Sequence, residues 1–267
     1  MKYVAFLDIL GFKSVLRKMK QHEATHYISE FSSTAFFEWD KVKPRSLEGY
    51  IVSDSFIIYS KDASESALNE LLYLVDRICK EEFSTNSVLI RGAIASGDFD
   101  RLEARELASL RKGLIVGQAY VDAYLLESTV KVPGIVLSEA VYHDAQNIPV
   151  FSKNIFEEKT KNAISFIYRY LSSDYLLEEE KLCKFIQLAQ NSKWMPHYYN
   201  AIYFALKHEE NNKKVDQIFS NIFNIICEGN PSENWRDIDT FISNAFNEDV
   251  VGGLQMRLLR YLRQKLF

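Results

Sequence analysis

Apolar residues come in two kinds of run along this chain, and the change from one to the other falls near residue 150. In the first part, short runs of strand length alternate with stretches of helical periodicity. Tyr3 to Leu7 is an apolar run closed by Asp8 and a turn through Gly11. Lys13 to about Trp39 lacks Gly and Pro and carries Val15, Leu16, Met19, Tyr27, Ile28 and Phe31 at near-helical spacing. Tyr50 to Tyr59 is apolar except at Ser53-Asp54-Ser55, which predicts a hairpin with Asp54 at its tip. A second amphipathic helix is predicted from Ser64 to about Glu82, with Ala67, Leu68, Leu71, Leu72, Val75 and Ile78 on one face. Val88 to Ala95 reads as a third strand, interrupted by Arg91 and Gly92. Asp98 to Lys112 is charged and irregular, a helix or a lid-like loop. Gly113 to Val116 is a short apolar segment, Gly117 opens a helix through Ala123, Leu125 and Leu126, and Ile135 to Leu137 is a further strand.

This order of elements predicts an α+β fold of the ferredoxin-like type, with a mixed or antiparallel sheet, rather than a doubly wound one. Beyond residue 150 the runs lengthen. Ile164–Leu177, Leu182–Ala189, Tyr198–Lys207, Val215–Ile226 and Val250–Phe267 all carry helical spacing. The expectation is a core over residues 1–150 and a helical extension over 151–267 that packs on the core or on a second subunit.

Composition narrows the function classes. A hydrophobic share of 47% supports a sizeable core and excludes disorder. A formal net charge of -4 gives no electrostatic case for duplex nucleic acid, though it leaves a nucleotide open. The three cysteines, Cys79, Cys183 and Cys227, are far apart and odd in number, so buried reduced thiols are expected rather than disulfides. Asp8 interrupts the apolar start too early for a signal peptide, and no run has membrane-spanning length. A soluble, cytoplasmic protein without membrane or nucleic-acid partners is expected.

Two aspartates stand out because of where they sit. Asp8 and Asp54 each break a buried run, and a carboxylate there is costly unless it is paired or holds a cation. Hard carboxylate oxygens suit Mg²⁺ or Mn²⁺, and two such ions clamp the oxygens of an in-line phosphoryl displacement. Turn-capping aspartates are the structural alternative. Arg91 is an unusual charge in an apolar strand; it fits either a guanidinium aimed at developing phosphate charge or a structural ion pair. His22-Glu23-Ala24-Thr25-His26 matches a zinc-protease pattern, but Lys18, Lys20 and Gln21 upstream make it a solvated helix face.

Five segments carry a resemblance. Phe6–Phe12 (FLDILGF), Val52–Phe56 (VSDSF), Ile90–Gly97 (IRGAIASG), Gly117–Ser128 (GQAYVDAYLLES) and Pro133–Tyr142 (PGIVLSEAVY) resemble, in order and spacing, the class III nucleotide cyclase domain. The resemblance covers residues 1 to about 150 and implies a ferredoxin-like core and a homodimer with composite active sites. It makes Asp8 and Asp54 the two metal aspartates, with the Ile9 carbonyl completing the shell of two Mn²⁺ or Mg²⁺ ions. The turn amides of Leu10, Gly11 and Phe12 would meet the triphosphate, and Arg111-Lys112 lies where the family has a triphosphate-binding basic residue.

The departures are informative. Where purine cyclases place a base-reading Lys or Glu this chain has Tyr50, and their second base-reading position, near Leu114, is apolar. Their transition-state Asn and Arg correspond to Val121 and Leu125. The combination resembles the pyrimidine cyclases of bacterial Pycsar anti-phage systems, which share the FLDILGF-type start, a tyrosine at the base-reading position and a helical extension. A tyrosine can stack on or hydrogen-bond a small ring while filling the space of a purine. The implied reaction converts UTP to 3′,5′-cyclic UMP and pyrophosphate, with CTP as the alternative substrate, and the product would reach a separate effector. A degenerate cyclase fold acting as a nucleotide sensor is the reading from another class.

Overall fold

The centre of the fold is β1 (Lys2–Ile9), flanked by β3 (Ser55–Ser60) on one side and β4 (Ile90–Gly97) on the other, antiparallel to both. A strand covered on both faces reads as continuous apolar sequence, and Val4, Ala5 and Leu7 are fully buried. The structure is a computed structural model that describes residues 1–12, 16–17, 20–102, 114–129, 133–159, 164–191, 196–206 and 209–226.

Helix α1 (Gln21–Val42) joins β1 to β2 (Leu47–Val52), and α2 (Glu65–Asn86) joins β3 to β4. The strand order β2-β3-β1-β4 with antiparallel neighbours is the split βαββαβ arrangement expected from the sequence. The buried Glu38 of α1 forms an ion pair with Arg77 of α2 and accepts from Lys41, which ties the two helices together. Gly92 is required by the closeness of β4 to β1: a Cβ there would lie 2.5 Å from the Phe6 carbonyl oxygen.

The sheet continues past β4. β7 (Ile135–Leu137) pairs with it in parallel, followed by β9 (Ile164–Tyr168) and the edge strand β8 (Ile155–Lys159). The stretch from 164 was expected to be helical; it is a strand as far as Tyr168. Ile164, Phe166 and Tyr168 lie two apart, and pairing with β7 and β8 overrides the local periodicity. The sheet therefore includes residues beyond 150, and the first compact unit runs to Tyr170.

On one face of this sheet Val4, Phe6, Ile57, Tyr59 and Ala95 form a buried cluster with Ala119 and Ala123 of α3 (Gln118–Glu127). Two short strands, β5 (Asp100–Leu102) and β6 (Leu114–Val116), pair as a ribbon just before α3. The charged segment expected to be a helix or lid thus begins as a strand, and residues 103–113 lie outside the described residues. Helices α4 (Glu139–Gln146) and α5 (Pro149–Ser152) follow β7.

The second unit contains α6 (Ser173–Leu177), α7 (Glu179–Asn191), α8 (Pro196–Leu206) and α9 (Asn212–Ile226). Their buried positions, such as Val215, Ile218, Phe219 and Ile222, keep the spacing seen in the sequence. The last predicted helix, Val250–Phe267, lies outside the described residues, as does Cys227. Cys79 and Cys183 are free thiols, and burial pushes the Cys79 thiol well up. Among the described residues, no helix is long and apolar enough to cross a membrane.

Candidate active site

Side chains at i and i+2 share a sheet face, so Asp8 projects to the same face as Val4 and Phe6, the face that α3 covers. Its register partners are Ser55 on β3 and Arg91 on β4. Three polar residues on adjacent strands therefore form one row across the end of the sheet. Ser55 Oγ stands 3.5 Å from Asp8 Oδ1, and Arg91 Nη2 stands 3.4 Å from Asp8 Oδ2.

Asp54 reaches the same place from the hairpin turn. The β2–β3 connection is the two-residue turn Ser53-Asp54, with Ser53 in the left-handed region at φ 57°. The Asp54 carbonyl accepts from Ile9 N–H at 3.3 Å, which fastens the turn to the end of β1. The Asp54 carboxyl comes within hydrogen-bonding reach of Asp8. Burial, together with the Asp54 and Glu127 charges, pushes the Asp8 carboxyl up to about 6, while Arg91 pulls it down. Burial and the neighbouring acids outweigh the Arg91 charge, so the Asp8 carboxyl stays protonated above the usual carboxylate range.

Glu127, at the end of α3, is the residue that sequence reasoning missed. Its side chain is only 6% exposed and forms an ion pair with Arg91. Burial raises the Glu127 carboxyl and the Arg91 guanidinium partly offsets that rise. Arg91 is thus bracketed by Asp8 on one side and Glu127 on the other. The one pointer in the sequence was that an arginine in an apolar strand needs an acid partner; nothing local marked Glu127, at the end of a helix that also carries Asp122, as that acid.

The turn after β1 passes through Gly11 at φ 82°, a conformation that favours glycine. Of the three turn amides expected to face phosphate, Leu10 N–H donates to the Leu89 carbonyl at 2.8 Å and is already engaged. Phe12 is buried and stacks on Tyr27 with ring centroids 6.1 Å apart. Arg111 and Lys112 lie outside the described residues. His22 and His26 sit on the exposed face of α1, with His26 Nε2 3.2 Å from Glu30. Among the described residues, no group of three or more His, Cys, Asp and Glu is placed to hold a metal ion.

Tyr50 lies on β2 opposite Ile57 and packs on the cluster beneath α3. It borders a cavity of about 800 Å³ lined also by Trp39, Glu48, Gly49, Phe56 and Arg101. Its ring meets Tyr59 edge-on at 6.1 Å, and the Arg101 guanidinium lies 6.0 Å from its centroid. The Tyr59 hydroxyl donates to Glu48 at 2.7 Å. The Tyr50 hydroxyl is buried and has no hydrogen-bond partner among the described residues. Burial pushes its phenol up to about 12, so it is neutral and can donate or accept.

No family model matches the chain, and no curated protein matches it in sequence. Solved structures similar to it are guanylyl and adenylyl cyclase domains. The dimeric guanylyl cyclase domain of the RhoGC fusion protein from the aquatic fungus Blastocladiella emersonii aligns at a TM-score of 0.49 and 15% identity, over 62% of this chain and 91% of that one. The adenylyl cyclase CyaB from P. aeruginosa aligns at 0.48 and 14%, over 63% of this chain and 93% of that one. The guanylate cyclase domain of RhGC from Catenaria anguillulae, solved in complex with GTP, aligns at 0.47 and 12%, over 62% and 94%.

Proposed function

We propose that the protein is a metal-dependent nucleotide cyclase that converts UTP to 3′,5′-cyclic UMP and pyrophosphate. The observation that carries this reading is the convergence of Asp8 and Asp54 at the end of β1, with the Asp8 carboxyl pushed up to about 6 by burial and by the neighbouring Asp54 and Glu127 charges. Two hard carboxylates fit Mn²⁺ or Mg²⁺, which in phosphoryl-transfer sites takes one or two carboxylates plus substrate phosphates. Asp8, Asp54 and the Ile9 carbonyl would hold two ions per site, and the ions would activate the ribose 3′-hydroxyl and neutralise the triphosphate.

The chain's own groups supply the rest. Arg91 would orient a phosphate with a forked guanidinium, held ready by Glu127. The Gly11 and Phe12 amides, with Arg111 and Lys112, would bind the outer phosphates. Tyr50 would bound the base pocket and leave room for one ring. Composite sites would require a homodimer, and the exposed Val121, Tyr124 and Leu125 on α3 offer an apolar face for a second copy. The helices from residue 151 onward would pack on the core or on that partner. The cyclic product would act on a separate effector in anti-phage defence, within the cytoplasm.

A nucleotide-sensing role without turnover is the second reading. It is favoured by Val121 and Leu125, exposed apolar residues at the positions that matched a transition-state Asn and Arg. Incubating the purified protein with each of the four NTPs and Mn²⁺ separates these readings. Cyclic UMP from UTP supports the first, and cyclic CMP alone moves the substrate to CTP. Product from ATP or GTP alone would sink the pyrimidine reading. No cyclic product from any NTP would leave the sensor.

A further inference from the structure

The two edges of the main sheet are built differently. β8, at one edge, ends in Glu157, Glu158 and Lys159, and charges on an edge strand keep other strands from adding to it. β2, at the other edge, reads Leu-Glu-Gly-Tyr-Ile-Val, with neither proline nor lysine and a single charge at Glu48. Among the described residues, no strand pairs with its outer side. The two-residue turn at Ser53-Asp54 makes Val52 and Ser55 a hydrogen-bonded pair. Lys61 N–H donates to the Ser46 carbonyl at 2.8 Å, which continues the same alternation past the other end of β2. The backbone groups of Glu48 and Tyr50 therefore face β3, and those of Leu47, Gly49 and Ile51 face outward. Gly49 is exposed and Ile51 half-buried, so this template is open.

The cavity of about 800 Å³ wraps around this edge. On one face Trp39 of α1 stands against Gly49, and Phe36, one turn earlier on the same helix, is 69% exposed. On the other face lie Glu48 and Tyr50, with the Arg101 guanidinium 6.0 Å from the Tyr50 ring centroid. An unprotected edge beside an exposed phenylalanine is a surface that another strand can cover.

We propose that β2 pairs with β2 of a second copy of this chain, antiparallel about a two-fold axis at Gly49, so that two sheets continue as one. Outward residues must meet outward residues, which allows three such registers. A two-fold at Glu48 sets two acids directly opposite, which is destabilising. A two-fold at Tyr50 leaves Leu47 unpaired. The two-fold at Gly49 pairs Leu47 with Ile51, Gly49 with Gly49 and Ile51 with Leu47. It also sets Glu48 of each copy opposite Tyr50 of the other, where Arg101 lies, so acid meets cation twice about the axis. The contact is separate from Val121, Tyr124 and Leu125 on α3, and it does not depend on the cyclase reading.

The test is sedimentation of wild type, Ile51→Pro and Glu48→Arg over a range of protein concentration. Ile51→Pro removes an outward N–H and leaves the β2–β3 ladder intact; its assembly should have half the mass of wild type. Glu48→Arg sets like charges across the axis and should raise the dissociation constant at least about tenfold, with folding checked by its urea midpoint. Amide exchange tests the register in wild type itself. On dilution to the smaller species, the Gly49 and Ile51 amides should exchange at least about tenfold faster, while the Tyr50 amide, bonded to β3, changes little. A mass unchanged by Ile51→Pro overturns the proposal, as do Gly49 and Ile51 amides that exchange fast at every concentration. Protection of those amides that ignores concentration also overturns it, because another segment of the same chain then covers the edge. A wild-type dimer that Ile51→Pro turns into a monomer supports the β2 pairing and removes the composite-site dimer. A wild-type dimer that survives Ile51→Pro does the reverse, and a larger assembly halved to a dimer supports both.

Discussion

Removing Arg91 and its buried partner together should harm the fold less than removing Arg91 alone. Glu127 is 6% exposed and Arg91 30% exposed, and Arg91 also lies 3.4 Å from Asp8. Arg91→Ala leaves Glu127 as a buried charge without its counter-ion and leaves Asp8 facing Asp54. Breaking one side of a buried pair costs about 3–5 kcal/mol, and the partial exposure of Arg91 brings the expectation to about 2–3 kcal/mol. Glu127→Gln keeps an acceptor, removes a charge whose burial is already unfavourable, and leaves Arg91 with Asp8, for about 1 kcal/mol. The double variant has no stranded Glu127 and should be about 1–2 kcal/mol more stable than Arg91→Ala.

The pH dependence follows from the same charges. Burial raises the Glu127 carboxyl, and losing Arg91 raises it further. A group whose folded value exceeds its unfolded value near 4.3 takes stability away as pH rises through that window. The gap between Arg91→Ala and the double variant should be near zero at pH 4 and widen towards pH 7.5. Urea unfolding in chelator, read by Trp39 with Trp194 and Trp235 replaced by Phe, reports on the first unit alone, since only Trp39 belongs to it. A double variant no more stable than Arg91→Ala at pH 7.5, or a gap indifferent to pH, would refute the bracketing of Arg91 by Glu127.

Asp8→Asn and Asp54→Asn should each lower turnover more than about a hundredfold, without unfolding the first unit; an active Asp54→Asn enzyme contradicts the paired-carboxylate site. Because the metal-free Asp8 carboxyl sits near 6, the apparent Mn²⁺ affinity of wild type should weaken as pH falls through about 6, measured by titration at fixed ionic strength. In the second unit, Ser173, the Asn211 amide and Lys214 hold the Glu209 carboxyl down at about 2. Glu209→Ala should therefore cost that unit about 2–3 kcal/mol at neutral pH, a difference lost as pH falls from about 4.5 towards 2; equal thermal stability at pH 7 would contradict it. His22→Ala with His26→Ala should change neither metal content nor activity, and bound zinc lost with the histidines would reverse that expectation.

The βαββαβ core was readable because each of its runs has a single compatible length and period. Tyr3–Leu7 is too short for a helix, and Ser53-Asp54 is a turn of hairpin length. The edge of the sheet was not readable. Ile164-Ser165-Phe166-Ile167-Tyr168 is apolar at four of five positions, so it fits either period, and a helix does begin at Ser173. Only pairing with β7 and β8 decides it, and such pairing is a long-range property that no local window contains.

The site divides along the same line. Asp8, Asp54 and Arg91 were visible because each is a charge inside an apolar run, an exception to its own surroundings. Glu127 was not, because it sits where a charge looks ordinary, at the end of a helix. What makes it notable is what it touches. Glu127 is buried only because α3 lies over the row that contains Arg91. Arg101 lies over Tyr50 only because the β5–β6 ribbon brings the chain back beside β2. The charges that break an apolar run are therefore legible locally, whereas a contact such as Glu127 with Arg91 joins distant, individually unremarkable residues.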